Sequence, residues 1–168
     1  MADAKACAGR VERLRALMAE RGYDAVILRN NPDLRWLTGA ERTFDDEVAH
    51  TAFVTADGQW LHTDSRYANT FRERLGADTP WVIDEEIVSA AAWAAERARA
   101  TRSRVVAVED TCDLAFFDAF NQTMGELSIA CLTPRMHGDI CDLRMVKDAE
   151  EVELMRHAQS ITDAAFTH

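Results

Sequence analysis

No stretch of the chain approaches the roughly 20 consecutive apolar residues that a bilayer-crossing helix requires, so nothing in it reads as a membrane span. Met1 to Arg10 lack the basic-then-apolar build of a secretory leader. Positive charge is scarce: 19 Lys and Arg stand against 29 Asp and Glu, a formal net charge of −10. Phosphate backbones call for basic stripes, so this balance excludes a general nucleic-acid binder. No block of like charge forms a tail, and the acidity reads as a solvated surface. Cys7, Cys112, Cys131 and Cys141 contain no C-x-x-C pair, which removes zinc-knuckle and thioredoxin-type sites. In a chain of this size they read as buried thiols of a reducing cytoplasm. The seven glycines build neither a phosphate loop nor a G-x-G-x-x-G turn, and no serine sits in a G-x-S-x-G elbow. Internal repeats and low-complexity tracts are also missing.

What is present is an ordinary globular composition. The 168 residues are 48% apolar and 29% charged, which suits one domain with a short piece of a second. Val11, Leu14, Leu17 and Met18 recur at helical spacing and Gly22 ends the run, predicting an amphipathic helix. Ala25-Val26-Ile27-Leu28 is a wholly apolar strand of the type buried on both faces. Asn30-Asn31-Pro32-Asp33 is a turn opening a brief helical segment that ends at Thr38-Gly39. Ala40 to Glu47 is a polar loop with the acidic pair Asp45 and Asp46. Thr51 to Val54 and Trp60 to Thr63 flank Thr55-Ala56-Asp57-Gly58 and predict a hairpin.

Asp64-Ser65 offers caps for a helix over Arg66 to Leu75. Trp81-Val82-Ile83 is a short strand. Glu85 to Arg99 is an alanine-rich helix with Ile87, Ala91, Ala94 and Ala98 on one stripe. Arg104 to Val108 is a second buried strand, and Asp110-Thr111 caps a helix carrying Leu114, Phe117 and Phe120. Leu127 to Leu132 reads as a last strand, stopped by Pro134. Strands alternating with helices, plus one hairpin, imply an α/β fold: a mixed β-sheet with helices on both faces.

After Pro134 the character changes. Asp148 followed by Glu151 resembles a capping box, opening a long helix through Val152, Met155, Ile161 and Phe166. That apolar face still runs at the last residues, and such a face needs something to pack against. We place the domain over residues 1–140, with 141–168 as a linker and the first helix of a following unit.

Four segments resemble one family in order and wording. Val11 to Leu28 resembles its opening helix and strand. Asn31-Pro32-Asp33-Leu34-Arg35-Trp36-Leu37-Thr38-Gly39 resembles its N-x-x-Y-L-T-G turn, with Trp36 in place of the common tyrosine. Asp64-Ser65-Arg66-Tyr67 resembles its D-x-R-Y step from strand to helix. The most specific match is Leu143 to Arg156, close to the linker pattern LR-x-x-K-x-x-x-E-[IV]-x-x-[ML]-R. The family is that of the creatinase, prolidase and aminopeptidase P metallopeptidases, and the resemblance is to its N-terminal domain, of ribonuclease H-like build. It implies a two-domain enzyme whose second, pita-bread half holds two divalent metals, Mn, Co or Zn, through Asp, Asp, His, Glu and Glu. Those ligands lie beyond the linker, so no catalytic residue and no metal ligand carries over to this chain. The resemblance also implies a cytoplasmic homo-oligomer. In it, this domain helps build the assembly and edges a neighbour's active site, limiting access to short peptides, often with proline second.

Candidate rim residues follow from that resemblance. Arg66 and Tyr67 sit where a guanidinium can take a substrate carboxylate; alternatively Asp64 caps the helix and Arg66 pairs with Asp64 or Glu73. Trp36 and Arg42 bracket the Leu37-Thr38-Gly39 turn, either lining a neighbour's pocket or, for Trp36, closing the core. His62 with Asp64, and His137 with Asp139, are spaced as weak metal pairs, but a firm site needs three or four ligands. His50 has no evident partner. Cys112 stands at a helix start, which would lower its pKa, although a buried thiol is the simpler reading. A freestanding binding or oligomerisation module, or the same domain of a creatinase-like amidinohydrolase, is the alternative.

Overall fold

The computed structural model describes residues 4–40, 43 and 47–166. Arg42, Asp45 and Asp46 lie outside the described residues. In chain order the elements are α1 (Ala4–Arg21), β1 (Ala25–Leu28), α2 (Asn31–Thr38), β2 (Thr51–Thr55), β3 (Gln59–His62) and α3 (Ser65–Leu75). They continue with β4 (Val82–Asp84), α4 (Ala90–Thr101), β5 (Val106–Val108), α5 (Leu114–Glu126), α6 (Asp139–Met145) and α7 (Ala149–Phe166).

The strands form one mixed sheet in the order β4-β3-β2-β1-β5. β2 is antiparallel to both β1 and β3, whereas β1–β5 and β3–β4 are parallel. The wholly apolar wording of β1 has a direct cause, because successive side chains alternate faces. Val26 and Leu28 enter one core with α1, α2, α3 and α6, where Leu14, Leu37, Phe71 and Ile140 meet them. Ala25 and Ile27 enter a second core with α4 and α5, against Phe53, Trp93, Phe116 and Phe120. The helices therefore cover both faces, as the alternation of elements predicts.

α1 and α2 end on Gly22 and Gly39, both in the left-handed region at φ 72° and 70°. Gly58 is needed for a different reason. Its φ is ordinary, but a Cβ there would lie 2.1 Å from Cη2 of Trp60, whose ring covers the hairpin turn.

Five expectations are corrected. α4 begins at Ala90, capped by the Ser89 hydroxyl, instead of at Glu85. β4 runs on to Asp84, whose carboxylate takes the Glu86 N–H, and Ile87 is fully exposed at 101%. α5 is capped by Asp113, which accepts the Phe116 N–H at 2.7 Å, so its inner face is Phe116, Phe120 and Met124 while Leu114 is 78% exposed. Asp110 is occupied elsewhere, accepting the N–H groups of His137 and Gly138 ahead of α6.

The strand expected at Leu127 to Leu132 does not form. Residues 132–136 instead run beside β5, with Leu132 N donating to Arg104 O, Val106 N to Leu132 O, Val108 N to Pro134 O and Met136 N to Val108 O. Pro134 has no N–H for the intervening rung, which leaves two bridges instead of a strand. Finally, only Cys7 of the four thiols is buried; Cys112 and Cys131 are half-buried and Cys141 is exposed. No helix among the described residues is long and apolar enough to cross a membrane.

Candidate functional site

β3 delivers the chain to Asp64, which turns it into α3. Asp64 is extended, at φ −82° and ψ 166°, and its Oδ1 accepts the Arg66 N–H at 2.8 Å. The Arg66 guanidinium folds back onto the same carboxylate, with Nε at 3.1 Å and Nη2 at 2.6 Å from Oδ2. Its Nη2 also reaches Glu47 at 3.3 Å, and the Tyr67 hydroxyl donates to Oε2 of Glu47 at 3.3 Å. The structure thus brings Asp64, Arg66 and Tyr67 together. It adds Glu47, which the D-x-R-Y wording does not reveal, and leaves Glu73 out. The hydrogen bond from Arg66 holds the Asp64 carboxyl below its ordinary value, and the same bond raises the guanidinium above its own.

Arg66 is 63% exposed, so this corner is a surface network of modest energetic worth. The contacts of Arg66 Nη2 to Glu47, at 3.3 and 3.4 Å, are longer than its 2.6 Å contact to Asp64.

Trp36 closes the core, at 6% exposure. Its carbonyl accepts Arg10 Nη1 at 3.0 Å, and the guanidinium carbons of Arg10 and Arg13 lie 6.0 and 5.3 Å from its ring centroid. Its Nε1–H has no partner among the described residues. One edge lines a groove of about 300 Å³ between α2 and the start of α7, with Arg35, Arg144, Lys147 and Leu154.

Around that groove the segment before α7 is tied to the domain. Arg10 Nε donates to Asp148 at 2.8 Å, Arg13 Nη1 to Val146 O at 3.1 Å, and Arg144 Nη1 to buried Asp33 at 2.6 Å. Lys147 Nζ donates to Arg144 O. The capping box is complete: Glu151 N donates to Asp148 Oδ1 at 2.9 Å, and Asp148 N to Glu151 Oε2 at 3.0 Å.

A further polar centre lies at the carboxyl ends of the parallel strands β1 and β5. Glu109, 3% exposed, accepts the N–H groups of Arg29 and Asn30 on Oε1 at 2.7 and 2.6 Å, while Oε2 has no partner among the described residues. Burial first, then the charge of Asp33, pushes its carboxyl up to about 7. Sequence reading passed over Glu109. Its signal was an acidic residue directly after a buried parallel strand, where α/β sheets place ligand sites. Cys112 is beside it, and burial with the charges of Asp113 and Glu109 pushes its thiol up to about 11, opposite to the lowering expected at a helix start.

The described residues do not fit a metal. No group of three His, Cys, Asp or Glu side chains converges among them. His62 places Nε2 3.0 Å from Glu86 O and stacks on Trp93 at 5.0 Å, so it is a structural histidine. His50, which had no evident partner in the sequence, places Nδ1 2.9 Å from the Thr63 hydroxyl. His137 lies in the turn before α6 at φ 51°.

Comparison with solved structures recovers this architecture in peptidases. The Xaa-Pro dipeptidase from Bacillus anthracis superposes with a TM-score of 0.81 at 21% identity, over 96% of this chain and 42% of that one. The prolidase from Pyrococcus horikoshii OT3 gives 0.69 at 17% identity, over 95% of this chain and 41% of that one. The N-terminal domain of the cytoplasmic peptidase PepQ from Mycobacterium tuberculosis H37Rv gives 0.66 at 21% identity, over 80% of this chain and 98% of that one. This chain thus spans well under half of the longer structures it matches. No curated protein sequence matches it. At these identities the structural likeness speaks for the fold alone. The family model for the creatinase/prolidase N-terminal domain, however, matches residues 10–146. That stretch runs from Arg10 to the linker it anchors, and the chain belongs to the creatinase/prolidase N-terminal domain family.

Proposed function

We propose that this chain is the non-catalytic N-terminal domain of a two-domain Xaa-Pro peptidase, and that it orients the following catalytic unit and restricts access to it. One observation carries the reading: α7 leaves the domain in a fixed direction, yet its apolar side chains are uncovered. Arg10, Arg13 and Arg144 hold residues 144–148, and Leu154, Met155, Ile161 and Phe166 are all exposed beyond them. A helix with a pinned root and a bare apolar face is suited to dock a second domain. In this reading 141–168 is the linker and first helix of that domain, and two divalent ions, Mn, Co or Zn, are bound there and not here.

The corner of Asp64, Arg66, Tyr67 and Glu47 supports a rim role, since its guanidinium can exchange Glu47 for a peptide carboxylate. Arg42 and one edge of Trp36 belong to the same proposal. The four cysteines, none in a disulfide, support a reducing cytoplasm. Assembly into a homo-oligomer is part of the proposal. The uncovered face of α7 also favours the second reading, a freestanding oligomerisation module, because a second copy could cover it. An amidinohydrolase parent would use the same domain.

The test is to read the native coding frame past His168 and assay both products. A downstream domain with spaced Asp, Asp, His, Glu and Glu, and Mn-dependent cleavage of an Xaa-Pro dipeptide by the longer protein only, is the expected result. Metal-dependent turnover by the 168-residue chain would overturn it.

A further inference from the structure

We propose that the crevice at the carboxyl ends of β1 and β5 binds a primary alkylammonium, a free amine or a lysine side chain, which donates to the second carboxylate oxygen of Glu109. The crevice has a volume of about 470 Å³, within the range of small-molecule sites. It lies where β1 turns into α2 and β5 leads to α5, outside the ends of two parallel strands.

Glu109 makes this more than a convenient hollow. One of its oxygens ties down two backbone N–H groups, and the other is buried with no partner among the described residues. Glu109 forms part of the crevice wall. A carboxylate oxygen in that position calls for a donor, and a charged donor gains most. The neighbouring charges are already matched. The Arg29 guanidinium pairs with Asp113, its carbon 4.2 Å from the Phe116 ring centroid, and Arg144 pairs with buried Asp33. Arg35 also lines the crevice and has a partner of its own. Among the described residues, ionised Glu109 is thus left without an ion-pair partner, and one positive charge balances it. A metal ion is a poor fit, because a single open oxygen is available and no group of three ligating side chains converges among the described residues. An ammonium needs only that oxygen, and Thr111 and Asp113 in the same wall offer acceptors for its other hydrogens. Pro32 and Val48 offer apolar surface for the alkyl chain.

Binding is coupled to a proton. Arg29 faces Glu109 from the end of β1, Asp33 from α2, and Cys112 and Asp113 from the turn before α5, with Arg144 of α6 behind Asp33. Burial and Asp33 outweigh the backbone N–H groups and Arg29, so the carboxyl is pushed up to about 7. An alkylammonium keeps its proton until about pH 10, so Glu109 is the partner that titrates. Only its ionised form attracts an ammonium, and affinity rises about tenfold between about pH 6 and pH 8.

The test is calorimetric titration of the 168-residue chain with isoamylamine, N-acetyl-lysinamide and isoamyl alcohol at both pH values. Saturable binding of isoamylamine or of N-acetyl-lysinamide with the tenfold pH gain is expected, the tighter of the two naming the source of the amine; isoamyl alcohol, of the same shape without the charge, fails to bind. Glu109→Gln abolishes binding while the circular dichroism spectrum is kept. If that variant does not fold, a pair of charges at Val48, 55% exposed and outside both cores, serves instead. Val48→Glu tightens the amine and Val48→Lys weakens it, each about threefold. No saturable heat from either amine at about 10 mM, affinity that is equal or weaker at pH 8, equal binding of the alcohol, or binding that neither Glu109→Gln nor the Val48 charges alter overturns the proposal. None of these readouts depends on peptidase activity, so the fate of the site and that of the proposed enzyme are separable.

Discussion

Arg10, in the middle of the first helix, donates from Nε to Oδ2 of Asp148 at 2.8 Å, across 138 residues of sequence. The guanidinium is almost wholly buried and Asp148 is three-quarters buried. Asp148 is also the first residue of the capping box of α7. One carboxylate therefore neutralises a charge inside the domain and starts the helix that leaves it.

That double duty separates two substitutions. Asp148→Asn keeps an oxygen for the Glu151 N–H but leaves Arg10 the more distant Glu150, at 3.7 Å, in place of its near carboxylate, while Asp148→Ala also loses the cap. We expect losses of about 1–2 kcal/mol for Asn and about 2–4 kcal/mol for Ala, read by urea unfolding. Partial burial pushes this carboxyl up, but hydrogen bonds from Glu151 N–H and Arg10 with the charges of Arg10 and Arg13 outweigh it and hold it below the ordinary value. A lowered folded-state pKa means the gain is complete above the unfolded value and fades as pH falls through the folded one. The difference between wild type and Asp148→Asn should thus shrink below about pH 3.8. A difference that stays constant down to about pH 2 would show that the charge is not what Arg10 needs.

Trp36 offers a sharper question, because its ring is packed and its N–H finds no partner among the described residues. Trp36→Phe keeps most of the buried ring and removes an unsatisfied donor, so the two effects oppose. The expected change is within about 1 kcal/mol, against about 3–5 kcal/mol for Trp36→Ala. A loss above about 2 kcal/mol for Phe would mean the indole N–H has a partner in solution.

Local patterns made much of this fold readable. The apolar tetrapeptide of β1, the hairpin, the Asp64 cap and the Asp148 to Glu151 capping box are all decided by neighbours within a few residues, and each stands where its wording puts it. The errors arise where tertiary context chooses between local options. Asp110, Thr111 and Asp113 are all competent caps, and Asp113 is used because Asp110 is claimed by Gly138, 28 residues on. Alanine-rich wording from Glu85 onward favours helix, but β3 recruits Val82 to Asp84 as a strand and delays the start to Ser89. The candidate site divides the same way. Asp64, Arg66 and Tyr67 lie within one motif and do cluster. Glu47 joins from 19 residues away, and the convergence of Arg29, Asn30 and Glu109 needs β1 and β5 to be neighbours, which no local spacing encodes.

The exposed face of α7 gives a third prediction. Met155 and Ile161 are more than half exposed and lie outside both cores, so replacing both with Gln removes no packing. The urea midpoint of the 168-residue chain should move by no more than about 0.5 kcal/mol. In a protein that continues into a docked domain, the same pair should cost about 2–4 kcal/mol, since the side chains would then be buried. A large loss in the short chain, removed on dilution in sedimentation velocity, would instead identify α7 as a self-association surface.

Glu109 should govern stability in a pH range that no aspartate cap can reach. Its carboxyl is raised to about 7 in the folded chain, chiefly by burial, whereas in the unfolded chain it titrates near 4.5. A raised folded-state pKa means the native state holds the proton more tightly. The associated stability is complete below about pH 4.5 and is lost progressively as pH rises to about 7, after which the loss is constant. For this nearly inaccessible group the loss is roughly 3 kcal/mol. The capping aspartates act oppositely and lower down, Asp113 and Asp148 being held below the ordinary aspartate value. Glu109→Gln keeps an oxygen for the Arg29 and Asn30 N–H groups and cannot ionise. Urea unfolding of both proteins between pH 4 and 8 should therefore show wild type losing stability relative to the variant through this window, then running parallel to it. Parallel curves throughout would mean Glu109 stays ionised in the fold, its second oxygen satisfied by solvent or by a bound cation.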